Sequence, residues 1–343
     1  MPDLTAFGPL DLVAAAFSTP LFSLLLAGLL AAGILIILTR PREDAAPTEL
    51  SDDVRRSLRR RYLPERRTLS IAALAVIVLF VGEHVLSGYV LDLVDAVAWW
   101  RYATPLLVAA LGLGVLLALV LTRGTAPSEV PVPPVARRTW RSFGPRWGIV
   151  GAGILALVLL ATTVIAGLAS SANSRGWYVW LEIPIANEPG VDPLRPWFYG
   201  WTYGVPVLLC LAALVAVAWA ALHANAARPY LRPEAVVAER EGRRGVASGI
   251  VGVASAGMLL ALAGAWRLVA GAGTITDVVI EGQNGGAYEA TWRYAELAML
   301  LGWLAPLLEI AAFVVLLLVV AGVPRSVQSG APAVRPLGVE ALR

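Results

Sequence analysis

A chain of 343 residues that is 58% hydrophobic and 15% charged, with a mean hydropathy of +0.72, has too little polar surface for a water-soluble globular domain, which carries about a quarter charged residues. Its net charge is only +3, yet every one of its 27 basic residues is an arginine, the usage expected of a GC-rich bacterial coding sequence. The single cysteine, Cys210, excludes an intramolecular disulfide and a cysteine-only metal site.

Met1 to Asp11 has no basic residue ahead of the first apolar run, so it lacks the positive region of a secretory signal and the run is expected to be a retained span. Seven stretches can cross about 30 Å of hydrocarbon at about 1.5 Å per residue. They are 12–39, 69–91, 103–122, 148–171, 202–224, 246–270 and 296–322. Each must be a helix, because only a helix satisfies its own backbone polar groups in lipid without a partner strand.

The connections between the spans separate by charge. Nine arginines fall in 40–67, five in 123–146, five in 228–244 and three in 325–343, whereas Arg101, Arg175, Arg195 and Arg293 are alone on the opposite side. By the positive-inside rule the expected fold is an all-α, polytopic membrane bundle of seven transmembrane helices, N-terminus outside and C-terminus cytoplasmic. Removing or adding one span would put an arginine-rich loop on the wrong side. Trp99, Trp100, Trp177, Trp180, Trp197, Trp201, Trp266 and Trp292 all fall at the expected outer boundary, where an amphipathic ring meets both lipid and headgroups.

The returning spans share an opening: Trp100-Arg101-Tyr102, Trp201-Thr202-Tyr203 and Trp292-Arg293-Tyr294. The expected organisation within one transmembrane domain, 1–343, is a first span, 12–39, then helical hairpins at 68–123, 146–225 and 245–322, then a cytoplasmic tail, 323–343. Because each hairpin leaves and returns to the same side, duplication would give three parallel two-helix repeats. An aromatic boundary favoured by any outer interface would give the same motif by convergence.

Ionisable groups inside hydrocarbon are costly enough to mark candidate sites. Glu83 and the adjacent His84 lie near the outer end of span two; Glu83 is expected to relay protons, contact substrate or bond a neighbouring helix, unless the span ends early near Val81. His84 and His223 are at opposite boundaries and cannot share a metal or haem. Arg267, near the outer end of span six, is expected to snorkel to headgroups or to pair with Glu83. Glu309 is isolated in an apolar run about 20 Å along span seven from Glu296, too deep to meet Glu83. It is expected to bind an ion or substrate, or to bond Thr162, Thr163 or a carbonyl freed by Pro306. Small residues along span six, including Gly245, Gly249, Gly252, Gly257 and Gly264, predict close helix packing.

The outer loop 172–200 offers a candidate partner surface in Trp177, Trp180, Glu182 and Trp197, with prolines that deny it a continuous helix. In 273–294, Asp277, Glu281 and Glu289 match no dedicated calcium loop. The 40–67 loop carries arginines at helical intervals, expected to form an amphipathic helix on anionic lipids. Nucleic acid is not an expected partner, since the basic segment abuts the bilayer. No Walker, dinucleotide, zincin, nucleophile-elbow or C-x-x-C motif occurs, so no catalytic residue, metal or cofactor is assigned. The sequence favours a structural or accessory subunit of a membrane complex in a bacterial cell membrane, with protein subunits and the lipid bilayer as partners; the alternative is a small-molecule or ion transporter, or its membrane component.

Overall fold

The computed structural model describes residues 19–38, 52–87, 97–123, 143–185, 192–230, 235–275, 277–279 and 287–322. The proline-bearing part of the 123–146 connector, the turn containing Glu281 and the 323–343 tail lie outside them, as do the first residues of span one and the last of span two. Among the described residues seven apolar helices form the bundle: α1 (Pro20–Leu38), α2 (Asp52–Val85), α3 (Thr104–Arg123), α4 (Arg146–Ala169), α5 (Trp201–Ala227), α6 (Val236–Gly273) and α7 (Ala295–Val320). All are long and apolar enough to span a bilayer, and the protein is a polytopic membrane protein. Two short antiparallel hairpins stand at one end: β1 (Ser171–Ala172) with β2 (Tyr178–Trp180), and β3 (Asp277–Val279) with β4 (Ala287–Glu289).

The burial pattern is that of a bundle dissolved in lipid. Leu25, Leu29 and Ile37 of α1, Leu111 and Val115 of α3, Leu157 and Leu168 of α4 and Leu209 of α5 are exposed, because hydrocarbon contacts them at no cost. Helix α6 is the axis, buried along nearly all of its apolar length and in contact with α2, α3, α4, α5 and α7. A helix in that position needs small side chains. Gly242, Gly249, Gly257 and Gly264 recur every seven or eight residues, so they share one face. A Cβ at each would meet Tyr62, Leu69, Ala109 with the Pro105 carbonyl, and Tyr102 respectively, so this face receives the α2–α3 hairpin.

The expected amphipathic helix in 40–67 is present from Asp52, but it is continuous with the span as one helix to Val85. It packs along the equally extended start of α6, with the Tyr62 ring against Gly242. The two extensions form the arginine-rich end of the bundle. At the opposite, tryptophan-rich end residues 171–185 and 192–199 build a small β-structure. Ile183 and Leu194 exchange backbone hydrogen bonds, and Leu181 and Phe198 donate to Pro196 and Val179. Val179, Leu181, Ile183 and Ile185 are buried, the period-two alternation of a half-buried strand.

Gly200 joins this cap to α5 where no side chain fits: a Cβ there would run into the Tyr178 carbonyl and the Ser170 side chain. Gly200→Ala is expected to cost about 2 kcal/mol, because a backbone carbonyl cannot move aside as a flexible side chain can. A thermal melt in detergent would check this; an unchanged midpoint would show that the cap is not fixed to the bundle at this point.

Candidate functional site

Two groups of polar side chains are buried in the bundle, one toward the tryptophan-rich end and one at the arginine-rich end. The first is built on Arg267 and Glu309. Arg267 Nε donates to Glu309 Oε1 at 2.7 Å and its Nη2 donates to Oε2 at 2.8 Å, a two-pronged pair. Ser23 of α1 donates to Oε2 at 3.1 Å. The Glu309 side chain is 0% exposed and that of Arg267 24%. Three helices therefore meet on one carboxylate. Next to Arg267, Trp266 Nε1 donates to Thr162 Oγ1 at 3.2 Å and ties α6 to α4 as well.

Reach explains why this pair forms although the two Cα atoms differ in depth. Arg267 is about 9 Å short of the end of α6 and Glu309 about 21 Å past the start of α7, at 1.5 Å per residue. Helical side chains lean toward their own N-terminus, and these helices run in opposite directions. The two long side chains thus lean toward each other and close the gap. Arg267 thus meets Glu309, a partner not expected from the sequence, while Thr162 accepts from Trp266 and Thr163 Oγ1 donates to the Leu159 carbonyl at 2.7 Å and faces the Tyr199 hydroxyl at 3.4 Å.

Glu83 is two residues before the end of α2, half-buried, with Arg101 and Thr104 as its polar neighbours. The helix does not end near Val81 but runs on to Val85, so Glu83 lies within its last turn. His84 turns inward; its Nδ1 is 3.2 Å from the Phe80 carbonyl and its ring centroid 4.7 Å from that of Phe80, which meets Phe313 edge-on at 5.9 Å. His84 is within electrostatic range of Arg101, Glu309 and Arg267. The four candidate residues thus form a closed pair and two flanking groups. Among the described residues no three His, Cys, Asp or Glu side chains converge as a metal site would require.

The candidate outer surface divides similarly. Trp180 and Trp197 face each other across a β-bridge and pack on the core. Glu182 is engaged by Arg195 Nε at 3.2 Å, and that guanidinium stands 5.8 Å from the Trp180 ring centroid. Trp177 and Tyr178 project, 40% and 46% exposed.

The second group is one that a count of inward arginines does not reveal. Arg243, 0% exposed, donates through Nη2 to the Pro229 carbonyl at 3.0 Å and to Glu239 at 3.3 Å, and through Nη1 to the Ala226 carbonyl at 3.5 Å. Its guanidinium lies 4.2 Å from the Tyr230 ring centroid and 5.5 Å from that of Phe143. Arg61 reaches the same Pro229 carbonyl at 3.2 Å and Glu239 at 3.7 Å, and Arg228 Nη1 donates to Glu65 at 2.6 Å. The carbonyls at the end of α5, the negative pole of that helix, accept from Arg61 and Arg243 beside these carboxylates. A sequence signal was present: Arg61–Glu65 and Glu239–Arg243 are opposite charges at i, i+4.

Both groups join helices through ion pairs, but they differ in completeness: both oxygens of Glu309 accept hydrogen bonds, whereas among the described residues Glu65 Oε2, Arg61 Nε and Arg243 Nε are buried without a hydrogen-bond partner. No protein-family model matches the chain, and no curated protein or solved structure shows detectable similarity to it.

Proposed function

We propose that this chain is a structural or accessory subunit of a complex in a bacterial cell membrane, with its arginine-rich end in the cytoplasm, its N-terminus outside and no reaction of its own. The observation that supports this most is the closed Arg267–Glu309–Ser23 group: the carboxylate deepest in the apolar bundle is fully buried and saturated by two other helices. A conducting site keeps a polar group open to its cargo. Trp177 and Tyr178 on the rigid outer cap are the surface this reading assigns to a partner subunit. Arg59, Arg60, Arg66 and Arg67, exposed arginines of the 40–67 segment, are assigned to anionic lipid.

Two hairpins support the repeat reading. Trp201 packs on Gly167 and Trp292 on Gly273, each motif tryptophan covering a glycine at the outer end of the helix that precedes it. The first hairpin departs from this, with Trp100 49% exposed.

Transport is the alternative, favoured by the residual exposure of Arg267 and the nearness of His84. Both readings are tested by blue-native electrophoresis of mildly solubilised native membranes together with ion and proton flux in proteoliposomes. The accessory reading expects an assembly of fixed stoichiometry that is lost in Trp177→Ala/Tyr178→Ala, and no flux above protein-free vesicles. Flux that disappears in a folded Arg267→Leu/Glu309→Leu variant would replace it with transport.

A further inference from the structure

At the arginine-rich end a cleft of about 370 Å³ opens between α2 and α6, with Arg59, Tyr62, Leu63 and Arg66 on one wall and Glu241 and Gly242 on the other. Positions 59, 62, 63 and 66 follow the i, i+3, i+4, i+7 spacing of one helix face. Tyr62 is buried and forms the floor, its hydroxyl directed at the Glu239 carbonyl 3.5 Å away. Gly242 makes the cleft possible: a Cβ there would stand 3.0 Å from the Tyr62 ring.

The arginines of this cleft differ from the buried ones beside it. Arg61, Arg228 and Arg243 are occupied by Glu65, Glu239 and carbonyls, and Arg56 by Asp53. Arg59 and Arg66 are exposed, and no ion pair engages either among the described residues. The Arg66 guanidinium extends toward α6, where a Cβ on Gly245 would lie 3.8 Å from its Nη2. Height identifies the ligand. Arg66 and Gly245 immediately precede the apolar runs that begin at Leu69 and Val246, the level at which hydrocarbon gives way to headgroups, and Arg59 is about 10 Å further from the bilayer. A guanidinium fork at that level matches a phosphate geometrically, and Leu58 and Leu63 line the cleft beside it.

We infer that this cleft seats the phosphate of one anionic phospholipid headgroup, between Arg66 and Arg59. The site depends on membrane embedding alone and is the same whether the chain scaffolds or transports. Glu241 is the single acid in the lining and weakens the site.

The test is native mass spectrometry of the full-length protein in detergent, titrated with phosphatidylglycerol or phosphatidylcholine at about 150 mM salt, where diffuse surface fields fade beyond about 8 Å. One phosphatidylglycerol is expected to bind roughly tenfold more tightly than phosphatidylcholine. Arg59→Gln/Arg66→Gln should abolish that preference. Arg60→Gln/Arg67→Gln, which removes the same charge from exposed positions outside the cleft, should keep it within about twofold. Glu241→Gln should tighten binding about threefold, a gain that a misfolded variant would not produce. Equal loss in the two double variants, or no gain in Glu241→Gln, would reduce the preference to diffuse attraction and overturn the site. Glycerol 3-phosphate competing at the same concentration as the lipid would reassign the cleft to a soluble phosphate ester.

Discussion

Glu309→Leu is expected to destabilise the protein by about 3–5 kcal/mol, whereas Arg267→Leu/Glu309→Leu should recover most of that loss. The single substitution removes both acceptors of a two-pronged pair and the acceptor of Ser23, and leaves a guanidinium that stays protonated in an apolar bundle. The double substitution removes both charges together with their desolvation cost and leaves side chains that suit the surrounding leucines. Arg267→Leu alone should also destabilise, because it strips both guanidinium donors from a fully buried carboxylate. Thermal melts of the four proteins in one detergent supply the measurement. A double variant no more stable than the worse single one would show that the pair contributes more than mutual neutralisation.

The span count, the segregation of arginine and the small-residue face of α6 were all legible in the sequence, because each follows from a one-dimensional requirement: length to cross lipid, charge to stay on one side, room for a neighbour. Pairings were not. Arg267 and Glu309 were both recognisable as costly residues, but depth was weighed only between Glu309 and Glu83, and arithmetic on Cα positions omits the opposite lean of side chains on antiparallel helices that joins Glu309 to Arg267. Ser23 gave no signal; a serine in an apolar helix commonly bonds its own backbone. The β-structure of 171–185 was readable from the alternation Val179, Leu181, Ile183, Ile185, but the prolines and aromatics around it drew attention to a partner surface. The arginine-rich end shows the reverse failure: arginines counted only for their sidedness include Arg61, Arg228 and Arg243, which are buried in a network.

That network carries the second large effect. Arg243→Leu is expected to cost about 3–5 kcal/mol, comparable to breaking the pair in the apolar bundle, although it lies near water. Its side chain is 0% exposed and serves several partners at once: Glu239, the Ala226 and Pro229 carbonyls at the end of α5, and the faces of Tyr230 and Phe143. Without it the fully buried Glu239 carboxylate loses its donor at 3.3 Å, and the Ala226 and Pro229 carbonyls lose one donor each. Arg243→Lys should recover little, because an ammonium cannot lie flat between two rings while donating along several directions. The damage should be local before it is global. Amide hydrogen exchange at Ala224–Ala227 should accelerate in Arg243→Leu, while the α6 amides from Ile250 to Leu262, held by the bundle, keep their protection. Uniform acceleration would mean that the cluster supports the whole fold; no acceleration would mean that α5 is held by its apolar contacts alone, and that the buried charges serve something other than its attachment.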